Sequence, residues 1–156
     1  MTVSSPASAS ARIEIEAAPD AVYQLITDLG VLAEVAEEAT AMRWVRGGAA
    51  AEGAKFKGSN RNGRRRWSTT CTVTEAEPGR AFAFDVDSGP LPIAHWRYEL
   101  TPTATGTAVT ESTWDRRPTW FHRLGGLLTG VNDRAAANAE HIRVTLDRLK
   151  ARAESV

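Results

Sequence analysis

Glu111 lies in a strand-like stretch, Thr107 to Trp114, that places Thr107, Val109, Glu111 and Thr113 on one face. Val109 belongs in a core, so alternation aims Glu111 inward with it. A carboxylate in apolar surroundings is costly unless it is paired, and its pKa rises in response. A carboxyl that titrates near neutral pH can serve as a general acid or base. By the same alternation two further polar groups point inward: Asn60, which shares a face with Phe56 and Gly58, and Tyr98, which shares one with Trp96 and Leu100. Glu111, Asn60 and Tyr98 are therefore the candidates for proton transfer or for orienting a ligand. Asn60 is a candidate hydrogen-bond donor to the Glu111 carboxylate. The plainer reading is that Asn60 and Glu111 sit near strand ends, reach water, or satisfy each other and the backbone.

Other chemistries find little support. His95, His122 and His141 fall on different elements with no ligand pair four residues apart on a helix, so no metal site is expected. His95 alternates against Trp96 and should face outward, and His141 sits beside the apolar stripe of the last helix. Gly47-Gly48 lacks the helix and lysine that complete a phosphate loop, and no cofactor is expected. Arg61, Arg64, Arg65 and Arg66 flank an Asn62-Gly63 turn. Trp67 alternates away from Arg66, so the run lacks a stacking aromatic on its face and reads as a solvated hairpin tip, with no nucleic-acid partner expected.

The 156 residues suit a single domain, and nineteen basic residues cancel nineteen acidic ones. Overall charge therefore favours neither nucleic acid nor an anionic surface. A single cysteine, Cys71, excludes an internal disulfide and fits a reducing compartment, so a cytoplasmic location is expected. Residues 1–10 are rich in Ser and Ala, with neither a basic start nor an apolar run, and read as a disordered lead-in to a domain over 11–152. No apolar stretch is long enough to span a membrane.

The residues of interest must be held by a sheet and a helix. From about Val131 to Arg152 the chain reads as one helix, roughly 33 Å long. Its sheet-facing stripe would be Val131, Ala135, Asn138, Ile142, Leu146 and Leu149. The second half is large and aliphatic, as a seal should be. The first half, with Ala135, Asn138 and Ala139, is small and partly polar, which leaves room for a ligand between helix and sheet; the alternative is that alanine simply favours helix. Ahead of it come a strand over 11–16, a helix opened by Pro19 and ended by Gly30, a second short helix from Val31 to Glu38, and strands beginning near Met42, Lys55, Arg64, Arg80, Ala94 and Thr107. Asn62-Gly63 is a strong hairpin signal, read as a turn with positive φ at both residues. Short links make the sheet antiparallel, and helices gathered at the ends make the fold α+β. The expected ligand wall is Phe56, Asn60, Trp67, Thr69, Phe82, Phe84, Trp96, Tyr98 and Glu111 on the strands, with Ala135, Asn138 and Ala139 on the helix: mostly apolar, with a few convergent polar groups. Segment 119–130, with Trp120, Phe121, Leu124, Leu127 and Leu128 around Gly125-Gly126, fits a hinged lid, a homodimer contact or plain packing equally well.

This order of elements resembles the helix-grip, START-like superfamily, and within it the polyketide cyclase/dehydrase-like SRPBCC branch. The resemblance rests on Ile13-Glu14-Ile15, Ala18-Pro19-Asp20-Ala21-Val22-Tyr23, Gly53 to Arg61, Glu77-Pro78-Gly79-Arg80, Trp96 to Leu100, Gly106 to Ser112 and Thr145 to Lys150. Together these cover residues 11–152. The resemblance implies a curved antiparallel sheet of about seven strands gripping the last helix. It also implies a small hydrophobic ligand, cyclic or aromatic, polyketide- or lipid-like, in the space between them. Such folds also include cyclases and dehydratases, for which Glu111, Asn60 or Tyr98 would be the reacting groups, and protein-interaction modules, for which segment 119–130 would be the contact. Whether the chain is an enzyme is left open by its residues.

Overall fold

A computed structural model of the chain describes residues 5–36, 39–118, 120 and 134–155. The elements run β1 (Ala9–Ile15), α1 (Pro19–Ile26), α2 (Leu29–Val35), β2 (Ala39–Arg46), β3 (Lys55–Asn62), β4 (Arg65–Glu77), β5 (Ala81–Ser88), β6 (Leu91–Pro102), β7 (Thr107–Asp115) and α3 (Arg134–Glu154). The seven strands form one curved antiparallel sheet in the order β1-β7-β6-β5-β4-β3-β2. Every pair except β1 with β7 joins strands consecutive in the chain, as short connections require. This is the α+β helix-grip architecture.

The long helix α3 packs along β1 and touches β7, α1 and α2. Ile142, Thr145, Leu146 and Leu149 form its buried stripe. Its C-terminal end is tied down by the Lys150 ammonium, which donates to the Glu14 carbonyl at 2.8 Å, and by Glu154, which accepts from the Glu16 amide at 2.8 Å. Toward its start the stripe opens: Asn138 and Ala139 are half-buried and Ala135 is exposed, so burial along this face declines from Ile142 toward the helix start. The expected opening at Val131 lies outside the described residues.

Several boundaries differ from the sequence reading, each for a local reason. β1 starts at Ala9, because Ala9 and Ser10 pair with Thr113 and Ser112 of β7. The first helix stops at Ile26 rather than at Gly30. Asp28 caps α2, its carboxylate accepting from the Gly30 amide at 2.9 Å and the Val31 amide at 3.3 Å, so Gly30 sits in the first turn of the second helix. β6 begins at Leu91 and contains Pro92, which pairs with Asp87 beyond the point where β7 pairing ends at Ala94. A proline is tolerated where only one neighbour demands hydrogen bonds. The β3–β4 turn lies one residue later than read: Asn62 pairs with Arg65, Gly63 has φ of 63°, and no described residue other than glycine has positive φ. Glycine first in a two-residue loop is the type II′ arrangement.

Candidate functional site

The concave face carries alternate residues of every strand. On one side of it Phe56, Phe82 and Phe84 are buried and touch edge-on or tilted: Trp44 meets Phe56 at 5.4 Å between centroids, Phe56 meets Phe84 at 5.2 Å, and Phe82 meets Phe84 at 5.5 Å. These phenylalanines belong to the packed core. Further along β3 and β4 the face turns polar. Asn60 Nδ2 donates to Thr69 Oγ1 at 3.3 Å, Thr69 is buried, and Trp67 is half-buried opposite Asn60.

The opposite side of the concave face holds the charged group. Glu111 on β7 is 3 % exposed and lies between Tyr98 of β6 and Ala11 of β1. Burial pushes its carboxyl up to about 8, and a hydrogen bond from Tyr98 pulls the other way. Burial also raises the Tyr98 hydroxyl well above its usual value, and the Glu111 charge adds to that. Two residues on, Thr113 is 1 % exposed and faces Trp96 across the β6 ladder. Glu111 Oε1 and Thr113 Oγ1 are both buried without a hydrogen-bond partner among the described residues. Glu111 thus faces Tyr98 across the β6 ladder and not Asn60, which lies four strands away on β3 with its amide engaged by Thr69. Thr113 joins the site beside the expected Glu111 and Tyr98. Alternation alone puts it on the same face, but its missing partner is visible only once the strands are paired.

The remaining expected residues divide between the two regions. Trp96 is half-buried next to the Glu111 group, whereas Asn60, Trp67 and Thr69 form a separate cluster on β3 and β4. Asn138 and Ala139 are half-buried on α3. An open groove of about 520 Å³ lies elsewhere, between α1, α2 and β2, bordered by Gln24, Thr27, Asp28, Met42, Arg43 and Trp44 among others. None of the residues expected to meet a ligand borders it. We place the candidate site at Glu111 rather than in this groove, because two of the three buried side-chain oxygens without a partner among the described residues, Glu111 Oε1 and Thr113 Oγ1, lie together there; the third, Thr74 Oγ1, stands apart on β4. Of segment 119–130 only Trp120 is described, and it is exposed.

The convex face is built differently. His95 does lie on it, as alternation indicates, but it is 7 % exposed: its Nδ1 is 2.7 Å from Asp85 Oδ1 and its ring lies against Trp114. Cys71, by contrast, lies on the concave face between Phe56 and Val86; it is buried, and its thiol is pushed up to about 12, chiefly by that burial, which leaves it unreactive. No cluster of three metal-ligating side chains occurs among the described residues, and no described helix is long and apolar enough to cross a membrane.

Comparison with known proteins matches this architecture. The polyketide-cyclase-like protein of Corynebacterium glutamicum is 27% identical, with a TM-score of 0.61, over 90% of this chain and 87% of its own. A Thermus thermophilus protein shares the fold at 19% identity and a TM-score of 0.66, over 94% of this chain and 97% of its own. The di-domain ARO/CYC StfQ from the steffimycin biosynthetic pathway aligns with a TM-score of 0.73 at 14% identity, over 94% of this chain; the chain spans 50% of that protein. No curated protein matches the sequence. The family described as polyketide cyclase/dehydrase and lipid transport matches residues 6–154, nearly the whole length, and the chain belongs to that family.

Proposed function

We propose that the chain binds a small, largely apolar ligand, cyclic or aromatic and polyketide- or lipid-like, between the concave sheet and the first half of α3. In this reading the polar end of the ligand meets Glu111, Tyr98 and Thr113. One observation carries it: Glu111 Oε1 and Thr113 Oγ1 are buried without partners, side by side on one strand face. Folded proteins leave few such atoms, because each costs about 1–3 kcal/mol. A ligand oxygen that bonds both would remove that cost. The family's description, which names both polyketide chemistry and lipid transport, supports the same ligand class.

A second reading, a cyclase or dehydratase working in the same space, is favoured by the state of Glu111. With its carboxyl pushed up to about 8, it holds its proton at neutral pH. It can then give that proton to a departing ligand hydroxyl as the C–O bond breaks and water leaves, and recover one from the adjacent carbon. Tyr98, bonded to the carboxyl, steadies the carboxylate in between.

Titration of tryptophan fluorescence with a panel of polycyclic aromatic polyketides tests the first reading, since half-buried Trp96 sits beside the site. Saturable quenching that weakens in Glu111→Gln supports it. Quenching that is absent, or unchanged in both Glu111→Gln and Thr113→Val, overturns it and leaves ordered water as the partner of these atoms. Product formation that disappears in Glu111→Gln while affinity is kept supports the enzyme reading.

A further inference from the structure

The chain's zero net charge conceals a strong separation. Residues 39–67 hold eight of the nineteen basic residues and one of the nineteen acidic ones, so a surplus of seven positive charges there is balanced by seven negative charges elsewhere. The fold gathers these cations onto the β2 end of the sheet. Arg43 pairs across the ladder with Lys57, and Arg46 with Lys55. Around the next turn Arg61 pairs with Arg66, and Arg64 and Arg65 complete the tip. Like charges placed directly opposite in a ladder repel, so this arrangement opposes stability. Among the described residues only Arg65 of this group makes an interaction beyond the Arg61 contact to the Gly63 carbonyl, and no ion pair neutralises Arg43, Lys57, Arg64 or Arg66. Elsewhere on the surface the arginines are paired: Arg12 with Glu14, Arg97 with Glu75, Arg116 with Asp87. Glu37 and Glu38, just ahead of β2, lie outside the described residues.

The shape of the region matters as much as its charge. β5 pairs with β4 only from Thr70 onward, so residues 65–69 extend past β5. That overhang is roughly 17 Å of strand, and it carries the arginine tip outward as an arm. On the outer side of the arm the partners of the cations are small and polar: Ser59 faces Ser68, and Lys57 faces Thr70. Val45 stands 43% exposed on the edge strand between Arg43 and Arg46.

We propose that this arginine-tipped arm docks the protein, reversibly, onto an anionic phospholipid bilayer. A protruding, convex, cationic arm fits a flat sheet of phosphates, and arginine binds phosphate in a two-pronged geometry that lysine lacks. Its outer side offers no aromatic residue for stacking nucleobases, which argues against single-stranded nucleic acid. An exposed valine flanked by arginines suits the boundary between headgroups and acyl chains. The balancing negative surplus on the rest of the molecule would turn the arm, and not another face, toward the membrane. This docking goes beyond the ligand reading and stands on charge and shape alone, whatever the interior holds.

The test is co-sedimentation of the whole chain with vesicles of phosphatidylcholine and phosphatidylglycerol in equal parts, compared with pure phosphatidylcholine. Binding is expected to the mixed vesicles only, and to fall steeply as salt is added. The triple variant Lys57→Glu, Arg64→Glu, Arg66→Glu should weaken it by about tenfold or more. A control with the same charge change at exposed sites elsewhere, Arg12→Glu, Arg80→Glu, Arg143→Glu, should bind more like the parent. Melting temperatures confirm that both variants are folded; should the first not be, the glutamine set at the same positions replaces it and should weaken binding by a smaller factor. No binding to the mixed vesicles overturns the proposal. So does an equal loss in the control, which would make net charge and not the arm responsible. Tight binding to polyglutamate or to single-stranded DNA without binding to vesicles also overturns it, in favour of a protein or nucleic-acid partner.

Discussion

Glu111 carries the sharpest consequences at the scale of single residues. Its carboxyl is raised from 4.5 to about 8 in the folded chain, so between those values the folded state holds a proton that the unfolded state has released. Stability must therefore fall as pH rises through that window, and level off on either side of it. Glu111→Gln should abolish this slope: the two proteins should melt alike near pH 4.5, and the variant should melt higher above pH 8, as a calorimetric pH series would show. Tyr98→Phe should do the reverse. It removes the bond that holds the carboxyl down, so the decline should run further into the alkaline range, at a cost of about 1–2 kcal/mol in denaturant titrations. The inward aim of Glu111 was readable because side chains on a strand alternate and Val109 fixes which face is core. Its partner was not. Choosing Tyr98 over Asn60 needs the β6–β7 register, and a register depends on turn geometry that alternation does not contain.

The same distinction holds for elements. Strand and helix order followed from periodicity and from Pro19, and the buried half of α3 from Ile142, Leu146 and Leu149. Boundaries failed where a side chain or a turn intervened: Asp28, by capping α2, moved the break between the two expected helices back from Gly30, and Pro92 fell inside a strand because β7 does not reach it. The β3–β4 turn is the instructive case. Asn62-Gly63 located the hairpin correctly but suggested positive φ at both residues, whereas only Gly63 has it, at 63°. Open space surrounds Gly63, so an added methyl group meets nothing and any cost is conformational. Gly63→Ala should therefore destabilise by roughly 1–2 kcal/mol, while Arg64→Ala next to it should be nearly neutral, as equilibrium unfolding in urea would report.

The whole molecule is a chain of neighbours with one exception. From β2 to β7 each strand pairs with the next, but β1 pairs with β7, Ile15 opposite Thr107. α3 then packs on β1, and Lys150 and Glu154 bind the backbone of residues 14 and 16. Ile15 is 1 % exposed beneath this junction. Ile15→Ala should cost about 2–5 kcal/mol. Stopped-flow chevrons should place most of that cost in faster unfolding, because contacts that close the longest loop form after the local hairpins. The pairing also has a bearing on biosynthesis. Within this domain β1 leaves the ribosome with its sheet partner about ninety residues behind it and its covering helix later still, so at 5–20 residues per second it waits for several seconds. Throughout that interval Ile13 and Ile15 are an unsheltered apolar segment, and of the seven strands β1 is the one to which chaperones have the longest access.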